Sequence, residues 1–89
     1  GAFLDTRLLR RLEQGEQWVR GRGIRQGRLR YQEPVLRIEV APEEMDIFWQ
    51  YREEAVDRMR GLGFSYIALD LEGFRSGSMD EGIRIPEKQ

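Results

Sequence analysis

Two short stretches of alternating character constrain this chain more than anything else in it. In Gly27-Arg28-Leu29-Arg30-Tyr31, Leu29 and Tyr31 fall on one face of a strand and Arg28 and Arg30 on the other. In Val35-Leu36-Arg37-Ile38-Glu39-Val40, Leu36, Ile38 and Val40 face one way and Arg37 and Glu39 the other. Gln32-Glu33-Pro34 between them reads as a turn, with Pro34 stopping the pairing. Strands this close in sequence are expected to form an antiparallel hairpin with one apolar and one charged face.

Helical patterns flank the hairpin. Leu4, Leu8, Leu12 and Val19 recur at helical spacing, widened by Leu9 and Trp18, with Asp5 and Thr6 as capping-type residues and Gly21 and Gly23 at the end. A second helix is expected from Ala41-Pro42-Glu43-Glu44. Its stripe is Met45, Phe48, Trp49, Arg52, Val56, Met59 and Leu62, and it ends at Gly61 and Gly63. Residues 64–71 read as a third strand buried on much of both faces. The fold class is therefore α+β, in the order αββαβ: a three-stranded sheet, hairpin plus third strand, with two helices on one face. A parallel crossover through the second helix sets the third strand running with the second.

Composition narrows the chemistry. The 89 residues make one domain, with 39% apolar residues for one modest core. There is no cysteine and no histidine, so thiolate catalysis, disulfides and the commonest general base and metal ligand are absent. No apolar run is long enough to span a membrane. The net charge of −1 hides an asymmetry. Residues 18–37 hold six arginines against Glu33, and residues 38–60 hold seven acids against three arginines. The basic segment is either one face of a two-faced domain or a localised anion site. Nucleic-acid binding fits poorly, because the sum is not basic and only Tyr31 interleaves the arginines.

Arg28, Arg30 and Arg37 are expected side by side on the charged face of the sheet. Like charges on neighbouring strands cost about a few tenths of a kcal/mol per pair. Either Glu39 offsets that cost in an ion-pair network, or a phosphate or carboxylate does, for which arginine's planar fork is suited. A second candidate follows the third strand. In Glu72-Gly73-Phe74-Arg75-Ser76-Gly77-Ser78, the glycines permit a nest of N–H groups. Arg75, Ser76 and Ser78 add charge and hydroxyl donors. The plainer reading is a capped tail in which Phe74 packs back on the core.

The block Gly61-Leu62-Gly63-Phe64-Ser65-Tyr66-Ile67-Ala68-Leu69-Asp70-Leu71-Glu72-Gly73-Phe74-Arg75-Ser76-Gly77-Ser78-Met79 resembles the closing segment of the LarE family. That family comprises ATP-dependent sulfur transferases of the PP-loop superfamily, which act in nickel-pincer cofactor biosynthesis. Arg28-Leu29-Arg30-Tyr31 resembles the family's R-V-R-[FH] strand, and Arg37-Ile38-Glu39-Val40 its A-R-I-E strand. Glu16 falls at the family's helix glutamate. The resemblance makes residues 1–89 a counterpart of the C-terminal third of such a protein.

It implies a pyridinium (nicotinic-type) mononucleotide substrate whose phosphate is held by Arg28 and Arg30. Glu16 and Glu39 are implied members of an acidic cluster able to take a divalent metal. ATP and Mg serve the parent family. A homo-oligomer, an N-terminal PP-loop ATPase domain in cis or in trans, and a cytoplasmic location are also implied. The chain departs from the family pattern at several points. It has neither the S-G-G-x-D-S loop nor a sulfur-donor cysteine, and Tyr31, Gln32 and Leu36 replace the usual residues. Gly1-Ala2 lacks an initiating methionine. Two expectations follow: a C-terminal piece of a sulfur transferase that binds substrate phosphate and supports assembly, or a standalone oligomerisation and anion-binding module beside a separate ATPase.

Overall fold

A computed structural model describes residues 5–74. Helix α1 (Thr6–Arg20) is capped by Asp5, whose carboxylate accepts the Arg7 N–H at 2.9 Å. A loop leads to strands β1 (Gly27–Gln32) and β2 (Val35–Val40). The helical region that follows is broken into pieces: a 3₁₀ turn (Pro42–Glu44), α2 (Met45–Gln50) and α3 (Arg52–Gly61). Strand β3 (Tyr66–Leu69) completes the order.

The sheet order is β1-β2-β3. β1 and β2 are antiparallel, with Gln32 opposite Val35 across a two-residue turn that contains a cis Glu33–Pro34 bond. β3 runs parallel to β2, with Ile67 opposite Leu36 and Leu69 opposite Ile38. The α+β class, the hairpin and the parallel third strand are as expected from the sequence.

Details differ in three places. The second helix is not continuous, because Tyr51 lies outside helical geometry (φ −106°, ψ 15°). The break resets the phase, so that Phe48, Ala55 and Met59 enter the core while Trp49 remains 56% exposed. β3 is shorter than expected and, among the described residues, is an edge strand, half-buried at Ile67 and Leu69 and exposed at Tyr66. Leu9 faces solvent.

The core lies between the helices and one face of the sheet, built on Val19, Leu29, Leu36, Ile38, Val40, Phe48, Met59 and Phe64, with Ile24 from the loop before β1. Gly15 is where α1 comes closest to the layer beneath. A Cβ there would run into the Leu29 side chain and lie 3.2 Å from the Met59 sulfur.

The two sheet edges are treated differently. At β1, the Glu16 carboxylate accepts the Leu29 N–H at 3.0 Å, and Arg20 donates to the Gly27 carbonyl at 3.4 Å. These two residues sit one turn apart on α1 and pair with each other at 3.5 Å. α1 thus supplies two of the outward backbone groups of β1 with partners. Among the described residues, no strand pairs with the far side of β3.

Candidate anion site on the open sheet face

The face of the sheet away from the helices carries the charges that alternation assigned to it. Arg28 stands opposite Glu39 in the β1–β2 register, and Arg30 opposite Arg37. Glu39 is the centre of the group. Its carboxylate accepts from Arg30 Nε at 3.3 Å and from Arg37 Nε at 3.2 Å, with Arg37 Nη2 at 3.1 Å. Arg37 also reaches Asp70, just past β3, at 3.6 Å. Glu39 is almost buried beneath the two guanidinium groups, which keep 39% of their side-chain surface exposed.

Arg28 is placed differently. Among the described residues it makes no ion pair, and its guanidinium carbon lies 5.4 Å from the centroid of the Phe74 ring. Phe74 is held there by its own backbone. The Asp70 N–H donates to the Ile38 carbonyl at 2.9 Å, the chain turns through Gly73, and the Phe74 N–H donates to the Val40 carbonyl at 2.8 Å. Gly73 takes a left-handed φ of +84°, and a Cβ there would strike the Val40 carbonyl, so glycine is needed on both counts. Phe74 therefore does not pack back on the core. It bridges the end of β3 to Arg28 on the charged face.

Among the described residues three arginines meet two carboxylates here, Glu39 and Asp70, which leaves one net positive charge. The network reading of this face holds for Arg30 and Arg37, and among the described residues Arg28 is the cation left over. Arg75, Ser76 and Ser78 lie outside the described residues. The structure brings Arg28, Arg30, Arg37 and Glu39 together, as the alternation implied. It adds Asp70 and Phe74, which only the return of the chain to β2 could reveal.

Glu16 and Glu39 do not act as a pair. Glu16 engages Leu29 and Arg20, whereas Glu39 engages Arg30 and Arg37. Among the described residues, no group of three or more His, Cys, Asp or Glu side chains is close enough to hold a metal ion.

The other arginines of the basic segment are dispersed. Arg20 pairs with Glu16, Arg22 stacks on Trp18 at 4.9 Å, and Arg25 pairs with Glu44 at 3.7 Å. Each of these three has a separate partner. The sequence reading placed Glu44 only as an acid at the start of the second helix. It is buried, and its carboxylate accepts the Arg25 and Gln26 N–H groups at 2.8 and 3.1 Å. Burial pushes its carboxyl pKa up, but the two backbone donors and the Arg25 guanidinium outweigh this and hold it below the ordinary carboxylate range. Its role is to tie the loop before β1 to the start of the helical region. No described helix is long and apolar enough to cross a membrane.

No family model matches the chain. Two curated proteins are similar to it. One is the uncharacterized protein slr1717 of Synechocystis, 34% identical over 82 residues, or 90% of this chain and 31% of that protein. The other is the pyridinium-3,5-bisthiocarboxylic acid mononucleotide synthase of Lactiplantibacillus plantarum, 33% identical over 68 residues, or 76% of this chain and 25% of the synthase. The chain spans about a third or less of the length of the curated relatives it matches. Similarity to this synthase, a LarE protein, over 76% of the chain is consistent with the LarE resemblance read from the sequence.

Proposed function

We propose that this chain is the substrate-phosphate-binding and assembly part of a LarE-like ATP-dependent sulfur transferase acting on a pyridinium mononucleotide. The observation that carries the reading is Arg28. It is an exposed arginine with no ion pair among the described residues, positioned by an aromatic ring, one strand position from Arg30 on a face with net positive charge. A phosphate monoester suits that arrangement. Arg28 can turn its fork to the phosphate while its flat side keeps the Phe74 ring, and Arg30 can share its free N–H groups while Nε stays on Glu39. Arg75, Ser76 and Ser78 follow Phe74 directly in sequence and are assigned to the same anion. Similarity to a synthase whose name specifies a pyridinium mononucleotide supports the substrate class. ATP, Mg and the sulfur-transfer chemistry belong to a PP-loop ATPase domain, in cis or in trans, and to an oligomer built with it.

The test is calorimetric titration of nicotinic acid mononucleotide into the chain together with such an ATPase domain. Each charge-assisted hydrogen bond to phosphate is worth about 1.5–3 kcal/mol when shielded from water. The Arg28→Ala, Arg30→Ala double variant should bind about tenfold more weakly or worse, with an unchanged circular dichroism spectrum. Unchanged affinity in a folded double variant would overturn the assignment.

A further inference from the structure

Asp70 follows the last residue of β3, and its two carboxylate oxygens serve different neighbours. Oδ1 accepts the Glu72 N–H at 2.9 Å, and Oδ2 faces Arg37 Nε at 3.6 Å. Its own N–H is fixed to the Ile38 carbonyl at 2.9 Å, so the half-buried side chain starts from a backbone position set by β2. Each oxygen leads to a different arginine of the charged face.

The first path runs along the backbone. An aspartate oxygen that accepts the N–H two residues on closes an Asx turn. The Asp70 carbonyl then accepts the Gly73 N–H at 3.1 Å, and the Phe74 N–H reaches the Val40 carbonyl at 2.8 Å. This turn seats the Phe74 ring 5.4 Å from the Arg28 guanidinium carbon. The second path runs through side chains. Arg37 lies between Asp70 Oδ2 and Glu39 Oε2, donating its Nε to Glu39 at 3.2 Å. The other Glu39 oxygen, Oε1, accepts Arg30 Nε at 3.3 Å. With Nε committed, Arg30 offers its terminal Nη groups to a ligand. A carboxylate turned toward a bound phosphate would repel it. The Asp70 oxygens are turned instead to Arg37 and the Glu72 N–H.

We propose that Asp70 is a positioning residue of the anion site, setting Arg28 through the Phe74 turn and Arg30 through Arg37 and Glu39, without touching the phosphate. This rests on Arg28 and Arg30 being the phosphate ligands, and the experiment separates the two assignments. Nicotinic acid mononucleotide and its riboside, which lacks only the phosphate, are each titrated into the chain together with the ATPase domain. Asp70→Asn keeps an oxygen for the Glu72 N–H and loses the charge facing Arg37, whereas Asp70→Ala loses both. Mononucleotide affinity should fall about threefold in Asp70→Asn and about tenfold in Asp70→Ala, as one and then two arginine side chains must be ordered on binding. Riboside affinity should not change in either. In the ligand-free chain, exchange of the Arg30 Nε–H with water, followed by NMR, should quicken in both variants. An unchanged exchange rate would overturn the proposal, and so would an equal loss of mononucleotide and riboside affinity, which marks a purely structural role. The Arg28→Ala, Arg30→Ala variant is the reference. If it loses mononucleotide affinity while both Asp70 variants bind like wild type, the positioning role fails and the phosphate reading stands. If it loses none, the phosphate reading fails and this proposal falls with it.

Discussion

Removing the Glu44 carboxylate tests whether the loop before β1 is held by one buried charge. Glu44 accepts two backbone N–H groups, from Arg25 and Gln26, and faces the Arg25 guanidinium. Hydrogen bonds to an ionised group contribute about 1.5–3 kcal/mol each. Arg25 and Gln26 are themselves exposed, so water can reach the freed amides, and the lower end of that range applies. The exposed Arg25 side chain adds little. Glu44→Ala should therefore destabilise the domain by about 2–3 kcal/mol, or about 10 °C or more in Tm for a chain of this size. Glu44→Gln keeps an acceptor oxygen without the charge and should lose about half as much.

The same residue sets a pH dependence whose sign is fixed. Its carboxyl pKa is lowered on folding, so the contribution is complete above the unfolded-state value and is lost as pH falls through the folded-state value. Urea denaturation from neutral to acid pH should show wild-type stability falling toward that of Glu44→Gln in the acid range, with the gap widest near neutrality. A Tm for Glu44→Ala within about 2 °C of wild type would refute the reasoning. So would a gap between wild type and Glu44→Gln that does not narrow in acid.

Other substitutions probe separate joints of the structure. Gly15→Ala gains about 1 kcal/mol of helix propensity but forces Leu29 and Met59 apart, so a net loss of about 1–2 kcal/mol is expected. A stabilised variant in chemical denaturation would contradict the close approach of α1. Glu16→Ala should speed exchange of the Leu29 amide and cost about 1–2 kcal/mol, because that N–H loses its acceptor at the edge of β1. An unchanged Leu29 exchange rate would show that Glu16 does not cap the edge. Phe74→Ala removes the ring beneath Arg28 and should weaken mononucleotide binding about two- to fivefold, the size of one exposed cation–π contact. Undiminished affinity in the titration would mean that the ring does not position Arg28.

What the sequence made legible follows the range of its signals. Period-two alternation was enough to put Arg28, Arg30, Arg37 and Glu39 on one face, because a strand leaves no other choice once Leu29 and Ile38 are buried. Helical periodicity located α1 but overran Tyr51. A break of one residue changes the phase without leaving a Gly or Pro to mark it, and so Ala55 rather than Val56 reached the core. Glu44 was read as a helix-start acid, since its partners lie 18 and 19 residues away in a loop with no pattern of its own. Asp70 and Phe74 join the charged face only because the chain turns through Gly73 back onto β2, a contact that local propensity does not encode.

The charged face also resolves a tension that alternation alone leaves open. Three arginines on adjacent strand positions repel one another, which suggests a sheet dependent on a bound anion. The structure relieves that repulsion internally. Glu39 lies between Arg30 and Arg37 under their guanidinium groups, Asp70 takes a further contact from Arg37, and Arg28 spreads its charge over an aromatic ring. Each cation thus has a partner within the fold. The same division suits a binding face. Arg28 on β1 makes no ion pair among the described residues, while the almost buried Glu39 fixes Arg30 and Arg37 in place. An arriving phosphate would meet a pre-positioned fork and, among the described residues, one uncompensated positive charge. It would not have to break the network that stabilises the sheet.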